Sequence, residues 1–172
     1  VYGGFNKIKF HTSGQIEVQP SSVSQSRLQE LQDHLLLFFT RQVRISGEIS
    51  KDQKQNTQKN ASQLKEMYDL VDEAASVLMG QDSICNFGKL LHHTWQLKRS
   101  LSTKISNSDI DGLYDTVRKL GADGGKILGA GGGGFFLVFA KPDLHPKIIE
   151  ALKQYVYVPF EFESTGVKTL LQ

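Results

Sequence analysis

The stretch Lys126-Ile127-Leu128-Gly129-Ala130-Gly131-Gly132-Gly133-Gly134 runs straight into Phe135-Phe136-Leu137-Val138-Phe139, and the fold is read outward from it. Eight of the sixteen glycines fall between Gly121 and Gly134, so glycine marks one site here rather than general flexibility. Glycine accepts positive φ and lets backbone approach another backbone or a ligand closely. Beside a strongly apolar strand, that freedom serves one of two ends. Either the loop offers backbone N–H groups to an anion such as phosphate, or it makes a tight crossing under a neighbouring segment. The spacing Gly129, Gly131, Gly134 also matches G-x-G-x-x-G. A dinucleotide site needs a strand before that motif and a helix after it. The sequence reads as a helix before and a strand after, which excludes that assignment.

Length and composition set the frame. The 172 residues suffice for one packed domain, and 39% apolar with 22% charged residues describe an ordinary globule. A net charge of +2 gives no basis for a nucleic-acid or membrane surface. No apolar run approaches the ~20 residues of a membrane span. The lone Cys85 rules out an internal disulfide and fits a reducing compartment, so a cytoplasmic location is expected. The chain opens on Val1-Tyr2-Gly3-Gly4-Phe5 with no initiating Met, and reads as a piece of a longer protein.

Period-two alternation at Asn6, Ile8 and Phe10, a turn at Thr12-Ser13-Gly14, and Ile16 and Val18 predict a half-buried β-hairpin. A short helix is expected over 27–33. Leu35-Leu36-Leu37-Phe38-Phe39 reads as a central strand buried on both faces, with a buried helix as the alternative that periodicity leaves open. Arg41 and Arg44 stand just past its end, where they serve either an anion or plain solvation. The polar run 51–60 reads as the start of a helix with a core stripe of Leu64, Met67, Tyr68, Val71, Ala74, Ala75 and Leu78, stopped by Gly80. Asp82 or Ser83 caps the next helix, whose buried face is Ile84, Phe87, Leu91, Trp95 and Leu101. His92 and His93 point about 100° apart on that helix and cannot chelate one metal together. Ser108 is expected to cap a third helix ended by Gly121. Pro146 lies near the start of a last helix. Val158, Phe160 and Phe162 alternate as a strand, held to a sheet edge by Pro159, and 167–171 adds a final short one. Hairpin, strand, helices, strand, helix, strand gives an α+β fold of ferredoxin-like type, an antiparallel sheet with helices over one face.

The glycine string, together with Leu120-Gly121-Ala122-Asp123-Gly124-Gly125-Lys126 and Tyr2-Gly3-Gly4-Phe5-Asn6, resembles the third conserved motif and flanks of the GHMP small-molecule kinases. The branch it resembles is that of bacterial sugar kinases containing D-glycero-D-manno-heptose 7-phosphate kinase, with fucokinase close by. The resemblance spans the chain but only the C-terminal half of such an enzyme. It implies that 1–24 is a hairpin from the end of an N-terminal kinase domain and that 25–172 is the GHMP C-terminal domain. It further implies transfer of the γ-phosphoryl of ATP, with Mg2+, to a sugar or sugar-phosphate hydroxyl.

The family's main ATP loop and its catalytic Asp do not appear in these residues, and the Asp is expected upstream of Val1. No catalytic residue and no metal ligand is therefore assigned within the chain, which is expected to be silent alone. Gly129, Ala130, Gly131, Gly132, Gly133 and Gly134 would support the ATP loop and line the cleft, and Gly131→Val or Gly132→Val would harm turnover more than folding. Asp123 and Arg44 are the substrate-binding candidates, Arg44 for a 7-phosphate. The expected partners are the sugar substrate and the N-terminal half, whose absence would leave room for self-association. The competing reading is a stand-alone ferredoxin-like module for small-molecule binding or dimerisation, with the glycines as a structural crossing.

Overall fold

The computed structural model describes residues 3–42 and 46–167. Strands β1 (Asn6–Phe10) and β2 (Ile16–Pro20) pair antiparallel, with Ile8 opposite Val18 and Phe10 opposite Ile16. Gly14 turns between them at φ 85°. The expected hairpin is present, but its apolar tip is not half-buried: Phe10 is 74% exposed, and Ile8 and Ile16 are exposed as well. Its base is anchored by Phe5, which packs with Leu31, Leu35 and Phe160.

Helix α1 (Gln25–Asp33) starts where the Ser24 hydroxyl accepts from the Arg27 N–H. It leads into β3 (Leu35–Phe39). Four helices then cross over: α2 (Ser46–Gln55), α3 (Ala61–Met79), α4 (Cys85–Ser100) and α5 (Ser108–Lys119). Strands β4 (Gly124–Ile127) and β5 (Phe135–Phe139) flank the glycine loop, and α6 (His145–Ala151) returns the chain to β6 (Val156–Tyr157). The second sheet has the order β4-β5-β3-β6 with every neighbour antiparallel. Counting its strands along the chain, this is the split β-α-β arrangement expected of a ferredoxin-like α+β domain.

The all-apolar β3 lies at the centre because both faces of the sheet are covered. Phe38 opposite Phe136 and Leu36 opposite Val138 face Trp95, Ile110, Leu113, Val117 and Ile148. Leu35 opposite Phe139 faces the other way, onto Leu31, Leu78, Ile84 and the half-buried Phe87 and Leu91. The expectation of helices over a single face is corrected here. α1 and the start of α4 cover the second face, which a sheet apolar on both sides requires.

Other local expectations shift for identifiable reasons. The polar run 51–60 does not continue as one helix. α2 ends at Gln55, and buried Asn60 donates its amide to the Leu101 carbonyl at 2.8 Å, a tertiary bond that breaks the helix before α3. Within α3 only Val77 and Leu78 are buried, while Tyr68 and Val71 of the expected core stripe are exposed. The cap of α5 is Asn107, not Ser108. Its side-chain oxygen accepts from the N–H groups of Asp109 and Ile110 at 3.1 and 3.0 Å.

The strand expected at Val158, Phe160 and Phe162 does not form: the observed β6 ends at Tyr157, just before it, and Pro159 has no N–H to give to a ladder. The Val158 N–H bonds the Leu37 carbonyl, and beyond it Gln32 clamps the chain through the Phe160 carbonyl and the Phe162 N–H, each at 3.0 Å. The final strand expected over 167–171 falls almost wholly outside the described residues. No helix among the described residues is long and apolar enough to cross a membrane.

Candidate functional site

The glycine loop joins β4 to β5, so a strand precedes it where a helix was expected. A strand also follows it, so the dinucleotide motif remains excluded. β4 escaped sequence reading because it begins with Gly124-Gly125, poor strand formers. Their placement has a packing cause: a Cβ on Gly124 would lie 2.1 Å from the Gly88 carbonyl oxygen of α4 and 2.8 Å from the His92 nitrogen. Only glycine lets α4 lie this close on the edge strand.

The loop is fastened from two sides. On one, the Gly132 N–H donates to the Ile105 carbonyl at 2.8 Å, in the segment between α4 and α5. On the other, the Gly134 N–H donates to the Gln42 carbonyl at 2.8 Å, and the Gly134 carbonyl accepts from both the N–H and the hydroxyl of buried Thr40 at 2.9 Å. Gln42 is held in turn: its amide donates to Asp109 at 2.6 Å and accepts from Asn107 at 3.0 Å. Asn107, which caps α5, thus braces the glycine loop as well.

All five loop glycines have positive φ, from 74° at Gly132 to 149° at Gly133. At two of them space is closed too. A Cβ on Gly131 would meet the Ile105 carbonyl oxygen at 2.8 Å, and one on Gly133 would meet that of Gln42 at 2.6 Å. The loop is therefore a preformed, backbone-clamped arch. Among the described residues the N–H groups of Ala130 and Gly133 have no partner in the protein. Their availability leaves the arch able to meet an acceptor.

Two lysines adjoin the arch. Lys98, in the last turn of α4, donates to the Gly129 carbonyl, and Lys126 precedes the loop in β4. Both are half-buried, and among the described residues neither pairs with a carboxylate. Burial, and then the neighbouring Lys126 charge, push the Lys98 amine down to about 8. Burial also lowers Lys126. Sequence reading missed Lys98 entirely, since only the packing of α4 on β4 brings residues 98 and 126 together. Lys126 was visible as the first residue of the motif.

The other candidates lie elsewhere. Asp123 precedes β4 at the end away from the loop, a strand length of about 13 Å. It packs against Gly88, and its Oδ2 is buried without a hydrogen-bond partner among the described residues. The structure does not bring it to the arch. Arg44 lies outside the described residues. Arg41 is exposed and takes φ 59°, an uncommon conformation for a non-glycine residue, one position before the Gln42 clamp. The histidines are structural: His92 Nδ1 meets the Tyr114 hydroxyl, and His93 Nε2 meets Glu66 at 2.6 Å.

Residues 81–158, which run from the start of α4 through the arch to β6, match the family model described as "GHMP kinases C terminal". Over that segment the chain is similar to the C-terminal domain of the GHMP kinases. It is 28% identical over 172 residues to the D-glycero-alpha-D-manno-heptose 7-phosphate kinase of Campylobacter jejuni, covering 98% of this chain and 50% of that protein. It is 30% identical over 130 residues to the bifunctional fucokinase/GDP-fucose pyrophosphorylase of Arabidopsis thaliana, covering 73% of this chain and 12% of that one. Among solved structures it superposes on a mevalonate kinase from L. major with a TM-score of 0.69 and 24% identity, over 89% of this chain and 45% of that one, a likeness of fold. The chain thus spans half the length, or less, of these relatives.

Proposed function

We propose that this GHMP domain is the C-terminal part of an ATP-dependent sugar kinase that transfers the γ-phosphoryl of ATP to a sugar hydroxyl, O1 of D-glycero-D-manno-heptose 7-phosphate being the first choice. The observation that carries this reading is the likeness to the Campylobacter jejuni heptose 7-phosphate kinase over 98% of the chain. ATP with Mg2+ would supply the transferred group and neutralise its charge, since phosphoryl transfer depends on positioning and electrostatic stabilisation.

The chain's own residues suit the positioning half of that task. The arch is rigid without a ligand, so it holds an adjoining phosphate loop in shape with little reorganisation, and Lys98 and Lys126 add positive charge beside it. Among the described residues no group of three or more His, Cys, Asp or Glu side chains could hold a metal ion. The Mg2+ ligands and the catalytic Asp are proposed to come from an N-terminal half. That half would cover the exposed Ile8, Phe10 and Ile16 of the first hairpin and Tyr68 and Val71 of α3.

A coupled ADP-release assay on the full-length kinase and on this chain, with heptose 7-phosphate, fucose, galactose and mevalonate, tests the proposal. Turnover of heptose 7-phosphate by the full-length protein with a silent chain supports it. Turnover of another sugar keeps the kinase and replaces the substrate. No turnover of any acceptor favours the stand-alone binding module, and turnover by the chain alone overturns the assignment of the missing Asp.

A further inference from the structure

Lysines are seldom buried without a counter-charge, because desolvating an ammonium is costly unless an anion or several acceptors repay it. Lys98 and Lys126 are both half-buried and, among the described residues, neither has a counter-charge. They come from different elements, stand close enough to repel each other's protons, and lie in the shelter of α4 on the edge strand β4. Only one protein acceptor, the Gly129 carbonyl, is shown for them among the described residues. An ammonium has three protons to donate. The Gly129 contact uses one on Lys98 and fixes the direction of the others, while Lys126 has none committed. The same contact ties the pair to the arch, whose Ala130 and Gly133 N–H groups have no partner among the described residues either.

Charge elsewhere on the chain is handled differently. Lys65 pairs with Asp69, Lys104 with Asp52, Lys153 with Glu150 and Arg99 with Asp111. The two lysines that adjoin the glycine loop have no such carboxylate among the described residues. We propose that Lys98 and Lys126 form a phosphate-binding subsite at the β4 end of the glycine arch, which takes a dianionic phosphate monoester. The kinase reading bears only on where that phosphate comes from: the non-transferred phosphate of a sugar-phosphate acceptor, or the phosphates of the nucleotide.

The test is binding to this chain, without turnover. With lysine side chains labelled for NMR, inorganic phosphate, glucose 6-phosphate and a non-hydrolysable ATP analogue are titrated separately. Expected is a saturable shift of the Lys98 and Lys126 signals with inorganic phosphate, weakened tenfold or more in Lys126→Met and in Lys98→Met. Lys98→Arg, which keeps the charge, retains most of the binding. Stronger binding of glucose 6-phosphate names the acceptor as the source, and stronger binding of the ATP analogue names the nucleotide.

Fluorescence of the single, fully buried Trp95 reports that each variant is folded. The proposal is overturned if neither lysine responds to any of the three probes, or if folded Lys98→Met and Lys126→Met bind as the parent does. A silent kinase assay with intact phosphate binding would remove the proposed function and leave the subsite. Active kinase with no lysine response would do the reverse.

Discussion

Gly14 in the β1–β2 turn and Gly131 in the β4–β5 loop both adopt positive φ, at 85° and 121°. A methyl group on Gly14 would meet nothing within 4 Å, whereas one on Gly131 would lie 2.8–2.9 Å from the Ile105 backbone. The two hairpins differ in the same sense throughout. The first ends in exposed Phe10 and Ile16, tied sideways to α3 by the solvent-exposed Lys7–Asp72 pair, a contact of small worth in water. The second has Ile127, Phe136 and Val138 fully buried and its loop clamped by Ile105, Gln42 and Thr40. Glycine permits a turn in one and a close crossing in the other. The second use is the one that fixes a site in place before any ligand arrives.

Gly131→Val is the sharpest way to break this contrast. The added side chain meets immobile backbone as well as a φ that L residues rarely adopt, two costs of about 1–3 kcal/mol each. A loss of about 3 kcal/mol is expected, read as a fall of about 10 °C in melting temperature for a chain of this size. The sequence reading placed the damage of this substitution mainly on turnover. The clamp on Ile105 places it on the fold as well. A melting temperature within a degree or two of the parent would mean that the arch yields easily and is not preformed.

Gly14→Ala is the matched control. Its backbone conformation is strained for alanine but its surroundings are open, so only the left-handed cost of about 1 kcal/mol applies. Urea unfolding of the two variants side by side measures the difference between conformational freedom and close approach. Equal losses would show that crowding at Ile105 contributes nothing.

Where the sequence carries a strong local signal, it predicts the fold well. Leu35–Phe39 has no polar residue to place outward, which points to burial and suits a central strand, and Asn6 to Val18 alternates around an evident turn. Reading fails where tertiary contact overrides local preference. Gly124 and Gly125 form a strand because Gly124 lies tight against α4 and Gly125 against Phe136 and Leu137 of β5, and Asn60 breaks a breaker-free stretch because Leu101 offers it an acceptor. The candidate site divides in the same manner. The glycines are contiguous and visible, while Lys98, Asn107 and Gln42 reach the arch only through the packing of α4, α5 and the end of β3, for which no spacing rule exists.

Phe10→Ser gives the smallest expected effect and the most direct test of the open hairpin. At 74% exposure the ring buries little apolar area against the chain, so its loss falls within about 0.5 kcal/mol in the isolated chain. Phe136→Ala, in the buried hairpin, is expected to cost about 3–5 kcal/mol. The proposed N-terminal half reverses the ranking of Phe10 without touching that of Phe136. If that half covers the first hairpin, Phe10→Ser in the longer protein costs clearly more than in the chain alone, because the ring there loses a packed environment. Equal, negligible costs in both proteins would leave the hairpin solvent-facing in the longer protein and remove the argument that its apolar tip is an interface.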